Sequence, residues 1–419
     1  MIFLKNANKR ATFAYILIYL FLLFKVGFFF NENGSSISSI FLLALCIVYN
    51  NTYNQGRISS RATSIVVIVL LLQFVTYLFT GFPDIAQYGL TIINYLTILV
   101  LVSSFKFEEY ATIYSNILLL ICLASLLCYG LLTLGIPFYQ YFPILTNSAG
   151  ATAHFLVLTD IWTIGSSSTG FNRAMGIFWE PGAFQAMITF ACIVDLYRNI
   201  PRRQLNFRMA IFCLTIVITY SSTGYVSLLL LILLFVKTQT KYSMIYLTIL
   251  CFAGFFLLTY LYATSSGFLF HTMFGKFGAI ETFMAGGETT ASESTRVESV
   301  IYPLRLFMDS PIIGYGVAGE EQMSRVLQHS MFTCTIINYF AKFGLLYGII
   351  HMTSFFKLLK LNKKGVIEAL ILSLLVVVTT ISEALDYNPV LEICMLYGFS
   401  KTNLFSPSNI SPLPQYKTL

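Results

Sequence analysis

The sequence predicts an all-α polytopic membrane protein of about twelve spanning helices, with two long extracytoplasmic loops, the second carrying an amphipathic helix. Three observations carry that expectation. Hydrophobic residues make up 57% of the 419 residues and charged ones only 10%, with a mean hydropathy of +0.77, against roughly 25% charged in a soluble domain. Apolar runs approaching the ~20 residues that cross a bilayer recur along the chain. The basic residues fall on alternate connections, as the positive-inside rule demands.

Residues 1–10, MIFLKNANKR, place three positive charges before an apolar run that has no small-residue cleavage site, so a retained first helix is expected rather than a removable signal. Spans near 11–30, 37–50, 62–80, 85–104 and 111–136 make an N-terminal unit over 1–136. Residues 137–173 form the first extracytoplasmic loop, aromatic and apolar enough to lie on the membrane surface. Spans near 174–197, 208–221, 223–236 and 242–263 occupy 174–263, and the large extracytoplasmic loop covers 264–330. Loops longer than about 15 residues are usually functional or disordered. In the second loop Val297, Ile301, Leu304 and Met308 recur at helical spacing on one face, and a Pro-x-x-Gly-x-Gly stops that helix. Spans near 331–356, 365–382 and 389–400 complete the membrane part, 331–400, and the Pro- and Ser-rich tail 401–419 is expected to be cytoplasmic and disordered.

With both termini cytoplasmic, eighteen of the 25 basic residues lie inside. Residues 208–236 can be read as one long helix or as two short ones meeting at SSTG, Ser221 to Gly224. The hairpin keeps the KLLKLNKK cluster inside, and charge favours it. The net charge of +7 is therefore an orientation signal, and no basic stripe suggests nucleic acid. All eight cysteines fall in apolar spans, so neither a disulfide framework nor a zinc site is expected. The acidic residues show no Asp-x-Asp pair and no metal-ligand spacing. No metal and no cofactor is expected.

A charge within a span costs roughly 2.5 to 3.5 kcal/mol on insertion scales and asks for a partner or a task. In NRAMGIFWEPGAF, Glu180 lies about one turn inside its span and Pro181 removes a helical hydrogen bond. A helix reaching back to Arg173 would put Arg173 and Glu180 on nearly one face, toward one cavity. The plainer reading pairs Glu180 with a structural cation and lets Pro181 merely start the helix. Arg173, Arg296 and Arg305 are the outside arginines nearest membrane-facing sequence, and a guanidinium fork fits phosphate oxygens. Arginines in an acidic loop, four basic residues against seven acidic over 264–329, also commonly sit in salt bridges. His329 stands at the outer N-terminus of the tenth span, where the helix dipole keeps an imidazole neutral, as a general base requires. His154, His271 and His351 carry no such signal, and the aromatics of PFYQYF fit an interfacial belt as well as a sugar platform.

RAMGIFWEPGAF, TYSSTG, TRVESVIYPLRLFMDSPIIGYG and QHSMFTCTIINYFAKFGLLYGI, in this order and on these sides, resemble the Wzy-type O-antigen and polysaccharide polymerases, which are related to the O-antigen ligases. The resemblance covers about Arg173 to Ile350; residues 1–136 match only as generic membrane helices. It implies transfer of a glycan from undecaprenyl pyrophosphate to another lipid-linked repeat unit at the outer face of the bacterial inner membrane, without a metal. It also implies the lipid-linked oligosaccharide and membrane lipid as partners, together with a chain-length regulator and a flippase. Arg173 and Arg296 match the family's pyrophosphate-binding arginines and His329 its proposed base, with Arg305 a further candidate for the pyrophosphate. Glu180 would then shape the site or bind a sugar hydroxyl, and Pro181 would bend its helix. Ligases typically carry Asn after the histidine and Ser-Arg in the short hairpin; here Ser330 and Ser222-Thr223 stand instead. Ligase is the second reading, and a lipid-linked oligosaccharide flippase, which should show internal repeats, is the competing class.

Overall fold

The structure is a computed structural model that describes residues 2–28, 35–82, 85–146, 152–162, 173–198, 200–239, 291–316, 319, 334–381, 385 and 388–399, with backbone alone at 2–8, 35, 162 and 291–299. The chain is mostly helical. The N-terminal part runs through α1 (Ile2–Val26), α2 (Ser35–Asn54), α3 (Ser60–Thr80), α4 (Ile85–Ser104) and α5 (Phe107–Thr133). After a small sheet, β1 (Ile144–Thr146), β2 (Thr152–Phe155) and β3 (Asp160–Trp162), come α6 (Pro181–Tyr197), α7 (Arg202–Ile218) and α8 (Ser222–Gln239). The remaining described helices are α9 (Ala291–Asp309), α10 (Thr335–Leu358), α11 (Val366–Ile381) and α12 (Pro389–Phe399).

Five described helices, α2 (from Ser36), α3, α4, α5 and α8, are long and apolar enough to cross a membrane, while α6, α11 and α12 are apolar but shorter. The expected span near 242–263 lies outside the described residues. Local chemistry sets several ends. Ser59 caps α3 by accepting from the Ala62 N–H at 3.4 Å. Glu108 and Glu109 open α5, where acidic side chains meet the positive end of the helix dipole, and Glu109 also pairs with Arg10 of α1 at 3.1 Å.

Three differences from the sequence expectations have physical causes. Residues 174–180 are not helical: Glu180 is the extended N-cap of α6, φ −156° and ψ 159°, and Pro181 is its first helical residue. Proline suits that place because its missing N–H would be unpaired there anyway. The first long loop folds as an antiparallel sheet of order β1-β2-β3, with Ile144 opposite His154 and His154 opposite Ile161. Its strands are too short for alternation to stand out. Helix α9 turns Pro303 and Leu306 inward and packs Phe307 edge-on to Phe340 at 5.6 Å, leaving Leu304 and Met308 exposed. The apolar face is thus rotated from the one the spacing predicts.

Between α7 and α8 the chain reverses. Tyr220 adopts φ 47°, Gly224 lies against Ile216, and the Tyr225 hydroxyl donates to the Val217 carbonyl at 3.3 Å. The hairpin tip lies at the end of the bundle that bears the sheet, because the segment 173–178 joins the two: its Gly176 carbonyl accepts from the Asp160 N–H of β3 at 2.7 Å, its Phe178 is bridged to Gly27 just after α1, and its Ala174 N–H donates to the Ile218 carbonyl at the hairpin at 3.0 Å.

Buried charges inside the bundle are paired, which their desolvation demands. Asp195 receives Arg208 at 2.5 Å and Arg198 at 2.9 Å, and the Ser115 hydroxyl at 2.8 Å. Lys25 donates to Ser39 and, at 2.6 Å, to Asn94. His351 Nε2 lies 3.2 Å from Glu392, its Nδ1 3.0 Å from the Tyr347 carbonyl, and its ring stacks on Tyr339.

Candidate functional site

The segment Arg173–Phe178 is the junction of the sheet-bearing end. Its backbone accepts from Asp160 at Gly176 and from Phe28 at Ile177, and the Ala174 N–H donates to Ile218 at 3.0 Å. The Arg173 guanidinium then clasps the hairpin, Nε donating to the Thr219 carbonyl at 3.0 Å and Nη2 to the Tyr220 carbonyl at 3.2 Å. Two of the sequence's four distinctive segments, RAMGIFWEPGAF and TYSSTG, therefore meet. A planar fork is the side chain that can span two successive carbonyls.

Arg173 itself is exposed, and Glu180 is half-buried at the N-terminus of α6. Those two do not share a helical face, since the chain between them is extended and turned. Pro181 starts α6 and does not bend it. Arg305 is exposed on α9 with its guanidinium carbon 5.8 Å from the centre of the Tyr302 ring. Arg296 falls in the N-terminal half of α9, its side chain outside the described atoms, and His329 and His271 lie outside the described residues altogether. His154 is buried in β2, its Nδ1 2.9 Å from the Phe142 carbonyl and its ring against Tyr139, which makes it a structural histidine of the sheet.

The third segment, PIIGYG, is locked into the fourth. Helix α10 is broken at Gly344, φ 79° and ψ 179°. Into the break comes the chain after α9: the Tyr315 N–H donates to Ala341 at 2.8 Å, the Leu345 N–H to Pro311 at 2.8 Å, and the Thr76 hydroxyl to Ile313 at 2.7 Å. A Cβ at Gly344 would stand 2.0 Å from the Ile312 carbonyl oxygen, and one at Gly314 2.5 Å from that of Lys342. Glycine is required at both by contact and by conformation. The clasp fixes the C-terminal end of α9, and with it Arg305, over the end of α3. Because successive helices alternate in direction, α3 ends on the same side as α1 and α5, the side of the sheet.

Sequence reasoning missed Asp160, Gln185 and Glu392. Asp160 is buried in β3 with Oδ1 unpaired among the described residues, and burial pushes its carboxyl up to about 8. A lone aspartate in an aromatic loop gives no sign of that. Glu392 follows Pro389 by three residues, a helix-start pattern that hides its partnership with His351.

An apolar crevice of ≈ 550 Å³ opens between α6, α10, α11 and α12, lined among others by Phe190, Phe355, Val376, Val390 and Leu391. It touches none of Arg173, Glu180 or Arg305, and its walls offer hydrocarbon contact rather than chemistry.

The fold and the arrangement at its sheet-bearing end define a polytopic helical membrane protein with Arg173 and Arg305 exposed at that end. Residues 207–352 match the model of a family described as O-antigen ligase, so the resemblance drawn from the motifs holds across this segment, and the chain is related to membrane enzymes of polysaccharide assembly. The segment includes the hairpin, α9 and most of α10, with Arg296, Arg305 and His329; Arg173, Glu180 and Pro181 precede it. No curated protein matches the chain.

Proposed function

We propose that the protein is a polysaccharide polymerase of the O-antigen type, which transfers a glycan from undecaprenyl pyrophosphate to another lipid-linked repeat unit at the extracytoplasmic face of the inner membrane. The observation that carries this reading is the fastening of Arg173 onto the hairpin that lies within the family-matched segment. It ties the polymerase-like RAMGIFWEPG segment to the part of the chain that defines the family.

In this reading the acceptor hydroxyl oxygen attacks the donor's anomeric carbon and passes its proton to neutral His329. The carbon–oxygen bond to pyrophosphate breaks, and the pyrophosphate leaves with the electron pair. Arg173 and Arg296 hold its oxygens, with Arg305 nearby, because charge developing on a leaving group is best met by fixed cations. Glu180, at the N-terminus of α6, would shape the site or accept from a sugar hydroxyl. A chain-length regulator and a flippase are proposed partners.

Purified protein supplied with fluorescent lipid-linked repeat units tests the reading. A ladder is the expected product. Single transfer to a lipid acceptor would establish the second reading, ligase, which the matched family's description favours. Translocation without bond formation would establish a transporter. Within the ladder assay, His329→Gln is expected to lose about 10² to 10⁴ in rate, the usual worth of a general base, at unchanged protein yield; turnover within about threefold of wild type would remove His329 from the mechanism, since that is far less than a base contributes. Arg296→Lys is expected to fail as Arg296→Ala does, for lysine lacks the fork, while Arg305→Ala is expected to be milder.

A further inference from the structure

Gln185 and Ser227 are fully buried, and among the described residues neither atom of the Gln185 amide nor the Ser227 hydroxyl has a hydrogen-bond partner. Both are placed just within the sheet-bearing end. Gln185 is on the second turn of α6, and its Cγ is 3.5 Å from where a Cβ on Gly224 would stand. Gly224 belongs to the first turn of α8, immediately after the hairpin whose carbonyls Arg173 holds. Ser227 follows Gly224 by three residues and so continues the same face of α8. Leaving such groups unpaired in the interior destabilises the fold, and a leucine in place of Gln185 would avoid it.

We infer that Gln185, together with Ser227, binds an uncharged polar group of the substrate, a hydroxyl or acetamido group on the sugar next to the pyrophosphate. The chemistry selects this class. An amide and a hydroxyl each offer a donor and an acceptor without charge, which suits sugar substituents, whereas phosphate oxygens are better met by the arginine fork above. The inference rests on the proposed glycan transfer and adds to it the residues that read the first sugar. The site is closed in this structure, so sugar entry requires α6 and α8 to part at the hairpin.

The test compares wild type, Gln185→Leu and Ser227→Ala in nanodiscs, with a fluorescent lipid-linked repeat unit as the probe and both transfer kinetics and thermal midpoint as readouts. Gln185→Leu is expected to raise KM about tenfold, the worth of one or two neutral hydrogen bonds, with the unliganded midpoint unchanged or higher because two orphan atoms are gone. The probe should stabilise wild type and fail to stabilise the variant. KM within twofold of wild type, or loss of activity in step with a lower midpoint, would overturn the assignment, the first pointing to a buried water and the second to a packing role. If Gln185→Leu does not fold, Ser227→Ala is read by the same two criteria. Failure of the wild type to transfer glycan at all would count against the proposed function and is seen before either variant is examined.

Discussion

Asp160, the first residue of β3, buries a carboxyl at 6% exposure, with Oδ1 accepting no hydrogen bond from the described residues. Desolvation favours its neutral form and lifts it to about 8 from an ordinary 3.8. The folded protein therefore keeps a proton that the unfolded chain releases, so this carboxyl's contribution to stability is full below about pH 4 and is lost as pH rises from there through about 8. Asp160→Asn is expected to remain folded, to abolish that slope and to raise the thermal midpoint at pH 8 relative to wild type. Midpoints read across pH 5 to pH 9 check this, and an unchanged slope in the variant would mean that the carboxyl is ionised in the folded state. The same residue shows a limit of sequence reading. Charges inside apolar runs stand out against their background, as Glu180 and Lys342 do, but a loop aspartate looks solvated until a sheet is known to cover it.

At the scale of elements, the join between the α9 connection and the broken α10 transmits position from the membrane helices to Arg305. Gly344 holds a backbone conformation that other residues adopt only at a cost of about 1 to 3 kcal/mol, before any contact with Ile312. Gly344→Ala is expected to lower the thermal midpoint and to cut glycan transfer at least tenfold, about 1.4 kcal/mol or more. Gly365→Ala, where a Cβ meets nothing within 4 Å, serves as the control and is expected to leave both unchanged. Equal behaviour of the two variants would remove the clasp from the argument. How much of this was legible depended on which signal set each element. Apolar runs located α4 and α12 almost to the residue, because an uninterrupted apolar stretch bounded by polar residues marks a helix in the membrane part whether it is long, as α4 is, or short and buried, as α12 is. Glu180-Pro181 was read as lying within a helix because the apolar run continues upstream, through Ile177 and Phe178; those side chains are instead buried in the main core from a turned, non-helical segment, Phe178 stacked on Phe184 of α6. The glycines of PIIGYG were visible as a helix stop, whereas the break they enter, at Gly344 within the span expected near 331–356, was not. The rotation of α9 about its axis followed from Phe340 and not from its own spacing.

For the whole molecule, the two ends differ in kind. The sheet, the Arg173 clasp and the α9 connection gather at one, while the other carries Arg198, Arg208, Lys357, Lys360, Lys363 and Lys364 among the helix termini. Some of these lysines lie against aromatic rings, Lys364 over Tyr197 at 3.6 Å and Lys357 over Phe399 at 4.3 Å, anchoring the helix ends at an interface. Basic residues are retained on the cytoplasmic side, so the sheet-bearing end is expected to face outward, the side on which transfer between lipid-linked units is proposed. Two exposed positions report on this. Tyr141, 90% exposed after α5, and Asn362, exposed in the connection between α10 and α11, can each be replaced by cysteine, since all but one of the described native cysteines are buried. An impermeant maleimide is expected to label Tyr141→Cys in intact spheroplasts and Asn362→Cys only after permeabilisation. The reverse pattern would turn the molecule over, put Arg173 and the hairpin in the cytoplasm, and remove the proposed polymerase along with the orientation. Labelling of both from outside would instead place an odd number of crossings between residues 141 and 362 out of register, locating the error between α8 and α10 because α6, α7 and α8 are fixed relative to one another by the Asp195 and Arg173 contacts.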